Sequence, residues 1–171
     1  MKILICYHSQ TGNTEKIARA MKEALESEDV DILPAANVNQ ASLKDYDLVI
    51  VGSGVYAGAV GASVKALLKK ATELPPRFAV FTTHANPDPA MYRDAFRLLR
   101  KGIEKVGSQV VGEFDCQGEN LVSTEEQVEK LLESLSPEER EAARVRIEGT
   151  RGHPDDEDLA NAQKFAKTLL G

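Results

Sequence analysis

Short apolar runs and amphipathic stretches alternate along this chain. Ile3-Leu4-Ile5-Cys6-Tyr7, Val30-Asp31-Ile32-Leu33, Leu48-Val49-Ile50-Val51, Phe78-Ala79-Val80-Phe81 and Gln109–Phe114 have the length and composition of strands. Between and after them, apolar residues recur at helical spacing. The first set is Ile17, Ala18, Met21, Ala24 and Leu25, and the second is Val60, Val64, Leu67, Leu68 and Ala71. Tyr92, Ala95, Phe96, Leu99, Ile103 and Val106 make the third, and Leu159, Ala162, Ala166, Leu169 and Leu170 close the chain. Leu48–Val51 is apolar throughout, as in a strand buried on both faces. The alternation predicts an α/β fold: a doubly wound, five-stranded parallel sheet in the order 2-1-3-4-5, with helices on both faces.

Stop and start signals agree with this layout. Pro34 and Pro75-Pro76 end segments, Asp88-Pro89 reads as an N-cap with the first residue of a helix, and Gly107 stops that helix. Thr124 with Gln127, and Ser136 with Glu139, have capping-box spacing, and Asp155 can cap the last helix. The expectation is a single domain over 1–171, with a charged helical insertion at about 119–153 after the fifth strand.

Composition narrows the function classes. With 171 residues, the chain can build one sizeable core. A net charge of −6 argues against a nucleic-acid surface. No apolar run has the length of a membrane span, and the N-terminus has no signal-peptide pattern, so a cytoplasmic protein is expected. Cys6 and Cys116 do not suggest a disulfide framework, and with the three histidines they show no metal-ligand spacing.

The candidate chemistry lies in three loops that follow the first, third and fourth strands. In the predicted strand order these loops converge at the switch point. Ser9-Gln10-Thr11-Gly12-Asn13-Thr14 joins a strand directly to a helix. Free N–H groups at a helix start, together with the helix dipole, favour an anion. Capping accounts for one or two Ser, Thr or Asn residues there. Six polar or Gly residues in succession suit a phosphate held by neutral donors. Familiar alternatives fail on spacing. There is no Gly-x4-Gly-Lys-Ser/Thr string, and Gly52, Gly54 and Gly58 have the wrong interval for a dinucleotide fingerprint. Gly12 stands where a Cys-x5-Arg phosphatase would need Arg, and His8-Ser9 replaces the acidic cluster of a receiver domain. A phosphate with two further loops nearby suggests a mononucleotide. Tyr56 is placed to stack on a flat ring, while His84 and Asn86 are ring neighbours.

The strings Ser9–Thr14, Gly52-Ser53-Gly54-Val55-Tyr56-Ala57-Gly58 and Thr83-His84-Ala85-Asn86-Pro87-Asp88-Pro89, with the closing helix from Asp155, resemble the flavodoxin family. The resemblance covers nearly all of the chain except 119–153. It implies bound FMN and one- or two-electron transfer between protein redox partners, a reductase and an acceptor, by a monomer or homodimer. Ser9, Gln10, Thr11, Gly12, Asn13 and Thr14 would hold the FMN phosphate. Ser53, Gly54, Val55, Tyr56 and Ala57 would meet one edge of the flavin, with Gly58 closing that loop. Thr83, His84, Ala85 and Asn86 would meet the other. The chain departs from the family in having no Trp or Tyr in the third loop before Tyr92, no acidic run there, and the long insertion. These departures leave two alternatives open. One is an FMN-dependent oxidoreductase acting on a quinone or a porphyrinogen-type substrate, with 119–153 as a lid or pocket wall. The other is a flavin-free interaction domain.

Overall fold

The computed structural model describes residues 1–121 and 123–171. Val122, inside the predicted insertion, lies outside the described residues, as does the side chain of Leu98. The chain runs β1 (Lys2–His8), α1 (Asn13–Ala24), β2 (Asp29–Pro34), β3 (Leu48–Tyr56), β4 (Ala59–Val60), α2 (Ala62–Lys70) and β5 (Arg77–His84). Then follow α3 (Arg97–Lys105), β6 (Gln109–Gln117), α4 (Glu125–Glu133), α5 (Pro137–Gly149) and α6 (Asp156–Thr168).

The main sheet is parallel, in the order β2-β1-β3-β5-β6. This is the predicted doubly wound order. The sixth strand, β4, pairs antiparallel with β3, so six strands stand where the sequence predicts five. The extra strand arises in the second loop. β3 does not end at Val51 but continues to Tyr56, and Ala57 and Gly58 form a two-residue turn with φ of 49° and 76°. Two positive φ values suit the twist of a tight hairpin, and Gly58 adopts one at no steric cost. The hairpin pairs Val55 with Val60 and Tyr56 with Ala59.

The central strands bury both faces, which explains their unbroken apolar runs. On one face, Ile3, Ile5, Leu48, Ile50 and Phe81 pack under Ile17 and Met21 of α1 and Ala162, Ala166 and Leu169 beside them. On the other, Leu4, Val49, Val51, Phe78 and Val80 pack under Val64 and Leu67 of α2 and Phe96 and Ile103 from the α3 region.

The segment after β5 departs from expectation. A single helix from Pro89 is predicted, but Asp88 caps only a 3-10 turn over Pro89–Met91, and α3 starts at Arg97. Tyr92 does not join a helix face. Its ring stacks on His84 with centroids 3.5 Å apart and planes 6° apart. Val106, predicted on the buried face, is the helix C-cap and is exposed. Gly107 takes the positive φ, 88°, that ends the helix.

Between β6 and α6, helices α4 and α5 form a hairpin. Arg140 ties it by donating to the carbonyls of Leu132, Glu133 and Leu135 at the end of α4. The two ends of this segment meet. Glu119 N–H donates to the His153 carbonyl at 2.8 Å, and Gly152 N–H donates to the Glu119 carboxylate at 3.0 Å. Lys16 of α1 donates to the Pro154 carbonyl at 2.7 Å, which anchors the return to α6.

Candidate functional site

The start of α1 is left uncapped by side chains, as are the starts of α2 and α3, and it is the one whose first turn lines the cavity of the three loops described below. Its N-cap is Gly12, at φ 91°, and no side chain caps the first turn. In α4, α5 and α6 the capping boxes of Thr124, Ser136 and Asp155 absorb those donors. The first N–H groups of α1 therefore stay available to an anion. Side chains of the predicted loop hold it open. Ser9 Oγ accepts from Gly12 N–H at 3.0 Å. Asn13 donates its side-chain amide to the Glu119 carbonyl at 2.8 Å. Thr14 is buried and shares a 2.9 Å hydrogen bond with Thr83. Thr11 hydroxyl has no partner among the described residues.

The second loop is pinned from inside. Ser53 is fully buried, and its Oγ donates to the Gly54 carbonyl at 2.6 Å and accepts from Gly61 N–H at 2.8 Å. Its side chain fixes the hairpin and lines neither cavity described below. Tyr56 lies across Gly54, where an added Cβ would meet the Tyr56 hydroxyl at 2.8 Å. The ring meets His8 edge-on at 5.4 Å. Burial raises the Tyr56 pKa, and the Gln10 backbone N–H, bonded to its oxygen, partly offsets this. The first and second loops are thus in direct contact.

In the third loop His84 is buried, with Nδ1 2.7 Å from the Asn86 carbonyl and Nε2 3.2 Å from the Asp115 carboxylate. The ring is thus held from both sides. The His84 hydrogen bond holds the Asp115 carboxyl below the usual carboxylate range. Tyr92 is pushed up by burial and then by Asp115.

Two adjoining cavities open among these loops. The first, of about 230 Å³, is walled by Thr11, Asn13, Thr14, Gly54–Tyr56, Thr83–Ala85 and Gly118–Asn120. The second, of about 300 Å³, is walled by Val55, Ala57, Gly58, His84–Asn86, Met91, Tyr92 and Arg146. Val55, His84 and Ala85 belong to both. Twelve of the sixteen predicted site residues therefore line these two adjoining cavities: Thr11, Asn13, Thr14, Gly54–Gly58 and Thr83–Asn86. Ser9, Gln10 and Gly12 shape the backbone of the first loop from outside the cavity walls, and Ser53 braces the second. Sequence reasoning missed Gly118–Asn120, Tyr92, Asp115 and Arg146. A signal existed for the first group, because Gly118 follows a strand on the ligand side. None existed for Arg146, which reaches the site only through the packing of α5.

A larger cavity, about 390 Å³, lies between β5, β6 and the α3 region. Most of its charges are paired, and Arg93 adds its charge to the field on Asp115. Arg97 pairs with Asp94 at 3.7 Å, and Arg100 pairs with Glu104 at 3.1 Å and with Glu113. Size alone does not make it the functional site, since it lies beside the third loop and away from the α1 start. Cys6 is fully buried and its thiol is pushed up to about 12, and burial likewise raises Cys116, so neither supplies a thiolate. His153, Asp155 and Asp158 come together before α6, but Asp155 and Asp158 are occupied as the reciprocal capping box.

The donor set fits a flavin mononucleotide. Uncapped N–H groups at the α1 start and the Thr11 hydroxyl could serve a phosphate, and Tyr56 from the second loop and buried His84 from the third line the same cavity.

A family profile for the flavodoxin domain matches residues 4–167, and the chain belongs to that family. An uncharacterised protein of Methanocaldococcus jannaschii is 29% identical over 172 residues, covering 99% of each chain. Flavodoxin 2 of Bacillus cereus has the same fold, with a TM-score of 0.68 at 21% identity over 99% of this chain and 98% of that one. A Lactobacillus acidophilus flavoprotein, solved in complex with FMN, superposes with a TM-score of 0.53 at 22% identity, over 67% of this chain and 92% of its own. No helix among the described residues is long and apolar enough to cross a membrane. Membership of this family implies flavin-dependent electron transfer or oxidoreduction alongside protein redox partners.

Proposed function

We propose that this protein binds FMN and passes electrons between redox partners. The observation that carries this reading is the uncapped, Gly12-initiated start of α1, opening on a cavity that three loops share. When bound, FMN supplies the one- and two-electron chemistry, and the protein supplies binding and electrostatics. The N–H groups of residues 13–15 and the Thr11 hydroxyl hold the phosphate. Tyr56 covers one side of the ring. His84 is held rigidly by Asn86, Asp115 and Tyr92, and presents a fixed dipole to the other side. His84 and Glu119 are the titratable side chains of the first cavity, and both are engaged, His84 with Asn86 and Asp115 and Glu119 with Gly152 N–H.

Purified protein tests this directly. It should be yellow, release FMN on denaturation, and take FMN back with far higher affinity than riboflavin. A colourless protein that does not take up FMN would sink the proposal and favour a flavin-free interaction domain.

The second cavity favours a further reading, an FMN-dependent oxidoreductase acting on a small molecule such as a quinone or porphyrinogen. Arg146 comes from the helical insertion and walls that cavity, so the insertion acts as a pocket wall. In neither reading does the chain offer a second phosphate loop for a nicotinamide. NADH or NADPH oxidation should need a separate reductase, and rapid turnover by the protein alone would contradict this.

A further inference from the structure

We infer that the second cavity is a subsite for a planar small molecule carrying a carboxylate, with Arg146 as its anchor. The inference rests on the flavin reading, because the cavity shares Val55, His84 and Ala85 with the proposed FMN cavity. A ligand there would sit edge to edge with the ring.

The charge pattern selects an anion. Arg146 is the charged residue in the wall, and no Asp or Glu lines it. The neighbouring arginines are committed elsewhere. Arg140 is bound by the carbonyls of Leu132, Glu133 and Leu135 at and just beyond the end of α4, Arg144 pairs with Glu129 at 3.5 Å, and Arg151 pairs with Glu148 at 3.2 Å. Arg146 has no acidic partner among the described residues. An exposed arginine is ordinarily just solvated. This one stands over a concave site, on a chain of net charge −6. Asp88 of the third loop acts on Tyr92 through its charge but does not line the cavity, and Asp115 opens into the other cavity with Arg93, Arg97 and Arg100.

The shape selects a flat molecule of modest size. A volume of about 300 Å³ is at the low end for small-molecule sites, which run from about 300 to 1,000 Å³. Val55, Ala57, Met91 and Tyr92 make the wall mostly apolar, with the Met91 thioether suited to an aromatic face. A guanidinium matches a carboxylate bidentately, which a lysine does not. An apolar floor and one planar cation at the rim describe an aromatic or conjugated acid.

The test uses anthraquinone-2-carboxylate and its neutral analogue 2-methylanthraquinone, titrated into FMN-loaded protein. Binding is followed by calorimetry and by perturbation of the flavin absorbance. The carboxylate should bind at least about tenfold tighter than the neutral analogue, one bidentate charge-assisted contact. Arg146→Gln should abolish that preference, Arg146→Lys should keep part of it, and FMN affinity should be the same in all three proteins. Equal binding of the two probes to wild type, or an unchanged preference in Arg146→Gln, would overturn the inference. The same calorimetric pair is run without added FMN. Failure to take up FMN therefore counts against the flavin reading alone, and the Arg146 comparison still decides the subsite.

Discussion

Helices α1 and α6 pack side by side on one face of the sheet, and their N-termini are built in opposite ways. At α6, Asp155 accepts from the N–H groups of Glu157 and Asp158, and Asp158 accepts in return from Asp155 N–H. His153 adds a 2.6 Å bond to Asp158. That end is closed by its own side chains. At α1, Gly12 offers no cap, and Ser9 turns its hydroxyl back on Gly12 N–H instead of forward into the first turn. Lack of a cap alone does not single α1 out, since α2 and α3 also start without one; what sets α1 apart is that Asn13 and Thr14 of its first turn line the cavity of the three loops.

The strongest way to break this contrast is to give α1 a cap of its own. Gly12→Asp places a carboxylate where the phosphate should sit, at a φ that Asp tolerates better than most residues. FMN affinity should fall at least about 100-fold, the loss of one or two charge-assisted bonds of about 1.5–3 kcal/mol each. Riboflavin affinity should hardly change, and fluorescence titration of both flavins reads the difference. Equal losses would show that residues 9–14 do not hold the phosphate.

A milder intervention removes one free donor. Thr11→Ala should weaken FMN about tenfold and leave riboflavin within about twofold, since one hydrogen bond to a charged group is lost. If Thr11→Ala is silent, the backbone N–H groups alone hold the anion.

The mirror experiment is Asp155→Ala. Loss of the cap should lower Tm by about 2–4 °C for a chain of this size, with FMN affinity intact. A change in FMN affinity would mean that α6 contributes to the site.

Titration separates the two ends further. N–H bonds from Asp158 and Glu157, with His153 nearby, hold the Asp155 carboxyl below its ordinary range. A depressed folded pKa contributes stability that is present above the unfolded value, about 4, and is lost as pH falls through the folded one. Thermal stability should therefore decline below about pH 4 for this reason. FMN affinity should begin to fall near pH 6, where a phosphomonoester loses its second charge. A single shared transition in both curves would contradict separate roles for the two ends.

The smallest expected effect concerns the helical segment between β6 and α6. Its helices cap themselves, and its ends are bridged by Glu119 and His153. We propose that a short Gly/Ser loop in place of 121–151 leaves FMN affinity unchanged while removing the Arg146 subsite. Complete unfolding of that variant would make the insertion part of the core.

Much of this molecule was legible in the chain. Apolar runs at Ile3–Tyr7 and Leu48–Val51 announced buried parallel strands because burial on both faces requires apolar residues throughout. Thr124, Ser136 and Asp155 announced their helices because capping is local chemistry, complete within four residues. The first loop was legible for the same reason: too many hydroxyls and amides stood at one helix start.

What the chain alone left undecided depends on contacts between distant residues. Ser53 looked like a ligand residue, yet it braces the hairpin because Gly61 N–H arrives eight positions later. Tyr92 fitted a helical stripe, but His84 takes its ring, and α3 begins late. Asn13 and Thr14 were identified as polar, but only the fold shows them tied to Glu119 and Thr83. Arg146 is one of several charges on a solvated helix until α5 is packed, when it becomes a wall of the second cavity. Local periodicity and capping determine elements, because their energetics act over a few residues. Which side chain meets which across the sheet's carboxyl edge is decided only when the loops converge.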